Sequence, residues 1–540
     1  MENWGLITAA ENSVGYNRQL CDARTKLWVA DVIAHEIAHM WFGNLATMRW
    51  WNDMWINEGF ATMMAVKAAD FVQNTTIRTN EYFTAEMAYH ALRSDSYTEQ
   101  PMSLKKNSTQ VYTINKKILY LKAATVLRMM EATVGDDEFR ETLHYYLTKY
   151  AYKNADKDEF LNCFSRQYAA KKLRNNTFIS KNISLFSFLD SWFYQPGFPL
   201  LQVDRSGDKI MVSQKLYNTD DIGNSSETNF QWNVPLFVKT NDPSSILWLR
   251  RNESLVLRAS RRPVLVDVDT RGYYRINYDE NTWKDLIVQL LENHTEISPN
   301  ARVRLIDDAF TLAGSKIISF EVPLRLGIYL KQELNLSPLS CFFRHFDVLN
   351  EKFKVHSKSA LFTRFGIFLL EPLYHHYVKT FIPTLQRESD VKIWVQSAVI
   401  SKICLYGYQP CVQLILPLFK ELVQNCTGRM FSDSCNKVQP TVRRVLYAVA
   451  AKYGSQEDFE TLLQKSRIEK SRFESQRLYS VLGYTQNQSN IYRILEENFN
   501  EGADFKINFQ LLALARSEAK IKQWLAFMTK NYNSQVDIWK

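Results

Sequence analysis

The chain has 540 residues, enough for about three or four domains with sizeable cores. With 46% hydrophobic and 13% aromatic residues it is a globular sequence, not a disordered one. Its formal charge of +9 is the small difference between 66 basic and 57 acidic residues, without a Lys/Arg block or a basic stripe interleaved with aromatics, which argues against nucleic acid as a partner. No run of 18 apolar residues is present to span a membrane, and the opening Met1-Glu2-Asn3 is not a charged-then-apolar leader.

In chain order, residues 4–10 (Trp-Gly-Leu-Ile-Thr-Ala-Ala) read as a short strand, and 12–24 as a loop. A helix is expected over Val29–Met40, where Val29, Val32, Ile33, Ile37 and Met40 are interleaved with His35-Glu36-Ile37-Ala38-His39. One helical turn separates His35 from His39, so both imidazoles leave the same face. Glu36 lies about 100° round that helix, placed to reach a water molecule without binding the metal. Eighteen residues separate His39 from Glu58, room for the helix to stop near Gly43-Asn44 and for a second helix to present Glu58 near its start. Two neutral imidazoles and a carboxylate are the ligand set of a catalytic zinc with a fourth position for water. A chance HExxH arises at roughly the per-cent level in a chain this long; the added carboxylate favours a metal site.

Trp50, Trp51 and Trp55 join the two helices and are expected to pack beneath the site. The 3.6-residue periodicity predicts a helix over 114–131, carrying Tyr120, and further helices near 137–150, 157–170 and 184–194. At Tyr194-Gln195-Pro196-Gly197-Phe198-Pro199 the helical pattern breaks. Strands are expected at 200–204, 209–215, 233–239, 245–249, 264–267 and 272–278, as an antiparallel sandwich. From about residue 280 helical patterns recur with short breaks, as in an α-solenoid, without a sharp repeat.

Two features point outside the cytosol. Asn-x-Ser/Thr sequons begin at Asn74, Asn107, Asn175, Asn182, Asn224, Asn252, Asn293, Asn335, Asn425 and Asn487. Four of the seven cysteines (Cys404, Cys411, Cys426 and Cys435) fall in one short stretch, where local disulfides compete with buried free thiols as the explanation. Ectodomain features without a targeting signal lead us to expect a piece of a longer protein.

Residues 1–8 (Met-Glu-Asn-Trp-Gly-Leu-Ile-Thr), 35–44 and 50–60 resemble the zinc aminopeptidases of the aminopeptidase N family. The run Ala91-Leu92-Arg93-Ser94-Asp95-Ser96 is most similar to oxytocinase-like and laeverin-like members. Further matches run through 195–199, 232–235, 272–279 and 305–310, and Cys404 and Cys411 continue them. The resemblance implies a multidomain, mainly α chain: a thermolysin-like catalytic domain (1–194), a small β-sandwich (195–280) and a helical superhelical domain (281–540). It also implies a preceding N-terminal β-domain, and the chain opens inside the family's Gly-x-Met-Glu-Asn substrate motif.

Spacing and resemblance agree on His35, His39 and Glu58 as ligands of one Zn2+ and on Glu36 as the general base. The resemblance alone singles out Tyr120, in Ile118-Leu119-Tyr120-Leu121-Lys122-Ala123, as the donor to the oxyanion; side-chain chemistry could not choose it among 27 tyrosines. It likewise assigns Glu2, between Met1 and Asn3, to the substrate's free ammonium. A Cys404–Cys411 disulfide and a second pair, Cys426–Cys435, are expected. So are partners: peptides with a free amino terminus, no nucleic acid, a homodimer through the helical domain, and a membrane only through a segment outside this chain.

Met40, Arg49 and Ala123 depart from the family pattern at places usually held by Gln, an acidic residue and Gly. Ala65 stands where relatives usually carry an outer carboxylate, whose loss typically costs about 10–100-fold in metal affinity or activity. The leading expectation is a zinc aminopeptidase at a cell surface or in the secretory route. A weakened or inactive homologue acting as a binding protein, and a thermolysin-type endopeptidase, are the alternatives.

Overall fold

The computed structural model describes residues 1–73, 81, 83–97, 100–104, 113, 115–175, 183–217, 230–238, 246–258, 263–353, 359–381, 390–431 and 434–500. It is mostly helical, and the chain divides into two compact units. The first comprises Met1–Gly15 and Leu27–Tyr329; the second comprises Tyr16–Lys26 and Leu330–Lys540.

The expected HExxH helix is Ala23–Ala38, in the first unit from Leu27 onward, with a further turn closed by His39 N–H to the His35 carbonyl at 3.2 Å. Beyond it the Asn44, Leu45 and Ala46 amides each reach back five residues, to His39, Met40 and Trp41, so the chain leaves the helix in a wide coil. Gly43 adopts φ +133°, and a Cβ there would lie 3.3 Å from the Asn57 side-chain amide and 3.5 Å from His39 Nδ1; any other residue would be strained in that turn. Strand β1 (Ala46–Met48) then pairs in parallel with β2 (Lys153–Ala155). The second ligand helix, Met54–Gln73, packs against Ala123–Val134. Gly59 makes that approach close: a Cβ on it would stand 2.7 Å from the Ala123 Cβ. Ala123 is therefore accommodated by a glycine on the facing helix.

Several expectations fail here. Residues 4–10 form no strand: the Leu6 amide bonds to the Asn3 carbonyl and the Thr8 amide to that of Met1, leaving a tight loop with Trp4 stacked on Tyr152 at 5.5 Å. No other strand lies beside these residues among the described ones, and an isolated extended segment has no ladder to join. Of the three tryptophans only Trp55 is core, packed on Phe193 at 4.4 Å, whereas Trp50 and Trp51 are 45% and 46% exposed. Trp50 and Trp51 precede the second ligand helix, Trp51 opening the turn Trp51–Asp53, whereas Trp55 lies in that helix.

The sandwich region is mixed, not antiparallel. Strands β3 (Pro199–Ser206) and β4 (Lys209–Leu216) form a hairpin through Gly207, which takes φ +63°. Strand β5 (Val234–Leu236) pairs with β6 (Leu247–Leu249) in a separate two-stranded sheet. The expected ends of these strands at 239 and 245 lie outside the described residues. A further correction concerns the edge of the larger sheet: β7 (Leu255–Arg258) pairs there with β4, and residues 264–267 are not a strand. Asp267 instead turns the chain at φ 58° and accepts hydrogen bonds from the Arg271 and Gly272 amides at 2.7 and 2.8 Å. Strand β8 (Arg275–Tyr278) runs parallel to β3, giving the order β7-β4-β3-β8.

In the second unit successive helices pack on one another. Ser359–Val378 lies on Asp390–Leu405, and Gln409–Asn425 on Pro440–Tyr453, which also contacts Asp390–Leu405. Two disulfides join Cys404 to Cys411 and Cys426 to Cys435. Lys465, buried, donates to the carbonyls of Cys426, Thr427 and Gly428 at 2.5, 3.0 and 2.6 Å, pinning the start of the second disulfide loop. Cys21, Cys163 and Cys341 are buried and not disulfide-bonded. Among the described residues no single helix is long and apolar enough to cross a membrane.

Candidate metal centre

The two helices bring three donor atoms to one point. His35 Nε2 and His39 Nε2 are 3.0 Å apart, and each is 3.3 Å from Glu58 Oε2. The rings stand edge to face, 4.6 Å between centroids. His39 is almost fully buried, and its Nδ1 lies 3.0 Å from the Phe42 carbonyl, which fixes Nε2 toward the cluster. Burial opposes a charge on this ring, but the adjacent Glu58 carboxylate and the Phe42 carbonyl outweigh it and raise its pKa. Burial pushes the Glu58 carboxyl up, but the two neighbouring imidazoles, the His39 charge and the Tyr120 hydroxyl together hold it at about 2.

Glu58 uses its two oxygens differently. Oε1 accepts a hydrogen bond from Tyr120 Oη at 2.8 Å. Oε2 is buried and has no hydrogen-bond donor. An acceptor left so in a protein interior costs about 1–3 kcal/mol unless something fills it. Three convergent lone pairs on two nitrogens and an anionic oxygen are what a zinc ion takes, so the residues present fit that metal.

Around this point stand the other residues singled out from the sequence. Tyr120 stacks on His35 at 5.8 Å, and its hydroxyl is held strongly protonated, first by burial and then by the Glu58 charge. Glu36 Oε2 lies 3.0 Å from the Met1 amino group, which also donates to the Thr8 carbonyl at 3.1 Å. Glu2 acts electrostatically on both His39 and Tyr120, and its carbonyl accepts from Asn44 Nδ2 at 2.7 Å. Asn3 is exposed and bonds Thr8 Oγ1 at 3.4 Å; it does not join the cluster.

Two contributors escaped the sequence reading. Asn44, read there as a helix stop, holds the main chain at Glu2 and also lies 3.6 Å from Met40 Sδ. The Phe42 carbonyl, which orients His39, is backbone and leaves no residue signature. It also bears on Ala65, which is buried and apolar: His39 is oriented without a carboxylate at that position. Arg49, the charge-reversed departure, finds Asp156 at 3.3 Å and Glu159 at 2.6 Å across the β1–β2 pair.

Comparison with known proteins places this centre in a family. The Peptidase family M1 domain matches residues 1–192, and the ERAP1-like C-terminal domain matches residues 263–540. The chain belongs to the M1 peptidases that carry an ERAP1-like C-terminal domain. It is 29% identical to Aminopeptidase N of Haemonchus contortus over 499 residues, covering 89% of this chain and 51% of that protein. It is 27% identical to human Endoplasmic reticulum aminopeptidase 2 over 533 residues, 92% of this chain and 53% of that protein. To Aminopeptidase N of Canis lupus familiaris it is 30% identical over 499 residues, 89% and 49% of the two chains. The chain thus spans about half the length of the relatives it matches. M1 peptidases are zinc-dependent, in keeping with the donor set.

Proposed function

We propose that this protein is a zinc aminopeptidase that hydrolyses the amino-terminal residue from peptides. The observation that carries the proposal is the buried, donorless Glu58 Oε2 facing two imidazole nitrogens at 3.3 Å, with Glu36 on the adjoining turn. His35, His39 and Glu58 would hold the zinc. When bound, it supplies Lewis acidity, lowering the pKa of a water molecule and polarising the carbonyl under attack. Glu36 accepts the proton that the water gives up and delivers it to the leaving amine. Tyr120, kept protonated by its surroundings, donates to the oxyanion. Glu2, held through its carbonyl by Asn44, pairs with the substrate's ammonium and sets the register at one residue.

The division into a thermolysin-like catalytic domain (1–194), a β-sandwich (195–280) and a helical superhelical domain (281–540) belongs to the same proposal. So does a secretory or cell-surface setting, supported by the two disulfides and by exposed sequon asparagines at 252, 293, 425 and 487. Asn335 is half-buried, and Asn74, Asn107, Asn182 and Asn224 lie outside the described residues.

Incubation of the purified chain with unblocked and amino-terminally acetylated peptides tests the reading. Release of single amino acids from the unblocked peptide alone is the expected result. Cleavage of the acetylated peptide would mark an endopeptidase. Zinc binding without turnover would mark a homologue acting by binding.

A further inference from the structure

The turn that carries Tyr120 is secured by a second cluster that the proposed chemistry does not use. Residues Ile118–Lys122 form a π-helical turn, which admits one more residue than an α-turn. Such turns sacrifice hydrogen-bond geometry, so a local cause is to be sought. Two residues after Tyr120, the Lys122 side chain has no solvent exposure; its Nζ lies 2.8 Å from Asp95 Oδ2 and donates to the Gly197 carbonyl at 3.0 Å. Asp95 is equally buried. It accepts from Tyr273 Oη at 3.1 Å, while its Oδ1 has no hydrogen-bond partner.

Stability does not explain this pair. Desolvating an ammonium and a carboxylate can exceed their mutual attraction, and apolar side chains of similar volume are often neutral or better at such positions. A pair that also leaves a carboxylate oxygen unbonded is the less favourable kind. What the cluster does supply is direction. Lys122 ties one end of the wide turn both to the Tyr89–Asp95 helix and to the loop before β3, and the Ile118 amide ties the other to the Asn115 carbonyl at 2.9 Å. Relaxation into α-helical register would rotate the side chains on one side of the turn by roughly 100° relative to the other. Tyr120 Oη would then leave Glu58, which it now meets at 2.8 Å.

We infer that Lys122 and Asp95 are positioning residues: their buried pair holds the π-turn open and thereby aims the Tyr120 hydroxyl at the metal centre. The inference rests on the reading of Tyr120 as oxyanion donor. Its test replaces the pair by apolar side chains, Lys122→Met with Asp95→Leu, in the whole chain, and measures thermal midpoint, zinc content, kcat and KM. The expected result is an unchanged or higher midpoint, unchanged zinc, KM within a few-fold, and kcat lower by about 100-fold. Tyr120→Phe in the same background should then cost nothing further, because the phenol is already misplaced. Wild-type kcat in the folded double variant overturns the inference. So do losses that multiply with Tyr120→Phe, or a fall in kcat that merely follows lost zinc. Should the double variant not fold, Asp95→Asn keeps the shape and removes the charge; a kcat unchanged by it is equally contrary. If the parent chain is itself inactive, the proposed activity fails, and crystal structures of parent and swap decide this point separately. Tyr120 Oη displaced from Glu58 in the swap supports the inference; Oη still at 2.8 Å overturns it.

Discussion

Two buried charged clusters, one in each unit, differ in how completely their carboxylates are bonded. In the second unit Glu474 accepts from Arg443 Nη1 at 2.9 Å, from Tyr447 Oη at 2.8 Å and from Arg477. Tyr447 in turn accepts from Asn436 Nδ2 at 2.8 Å. That network is closed and calls for nothing from outside the chain. In the first unit Glu58 Oε2 has no donor, although two ring nitrogens stand 3.3 Å away. Completeness marks a structural network, and a shared deficit among convergent donors marks a site for an ion.

The comparison can be broken most forcefully at Glu36. Glu36→Gln is expected to lower kcat by about 1,000-fold while zinc content and thermal midpoint stay at wild-type values; a variant that turns over normally would remove Glu36 from the chemistry. At the closed network the pattern should invert. Arg443→Met leaves Glu474 buried with a lost partner and should cost about 3 kcal/mol of stability by denaturant titration, without altering zinc content or turnover per folded molecule. Loss of zinc from that variant would show that the two clusters are not independent.

Asp31 sharpens the contrast. Its Oδ1 is also buried and donorless, but among the described residues Asp31 belongs to no group of three convergent ligand atoms, so it should register as a cost and not as a site. Burial pushes its carboxyl up to about 7 from an ordinary value near 4. A folded-state pKa above the unfolded one means that no penalty exists below about pH 4. The penalty then develops between about 4 and 7 and is complete above 7. Asp31→Asn should accordingly raise the thermal midpoint by about 2 °C at pH 8 and leave it unchanged at pH 4. A gain independent of pH would assign the effect to packing.

The ligand helices were legible because helical periodicity and the His35–His39 spacing report the same face, and because Glu58 falls where the second helix begins. The strand expected at 4–10 failed for the complementary reason: an apolar run indicates readiness to pair but not the presence of a partner edge. Strand β7 was passed over because Leu-Val-Leu-Arg is too short to show alternation against its surroundings, whereas Val264 and Val266, both buried, imitate a strand while the Asp267 carboxylate organises a turn. At the site, Tyr120 depended on resemblance, since a tyrosine on a helix carries no mark of its distant partner. Asn44 and the Phe42 carbonyl act through geometry that residue types do not encode. Lys122 stood inside the recognised motif, but its meaning depends on Asp95, 27 positions away.

The account stands on three side chains from two adjoining helices sharing one divalent ion. Metal analysis of the purified 540-residue chain at neutral pH, beside Glu58→Gln, measures this most directly. One zinc per chain, lost in the variant, is the predicted result; a folded parent chain without stoichiometric zinc would contradict it.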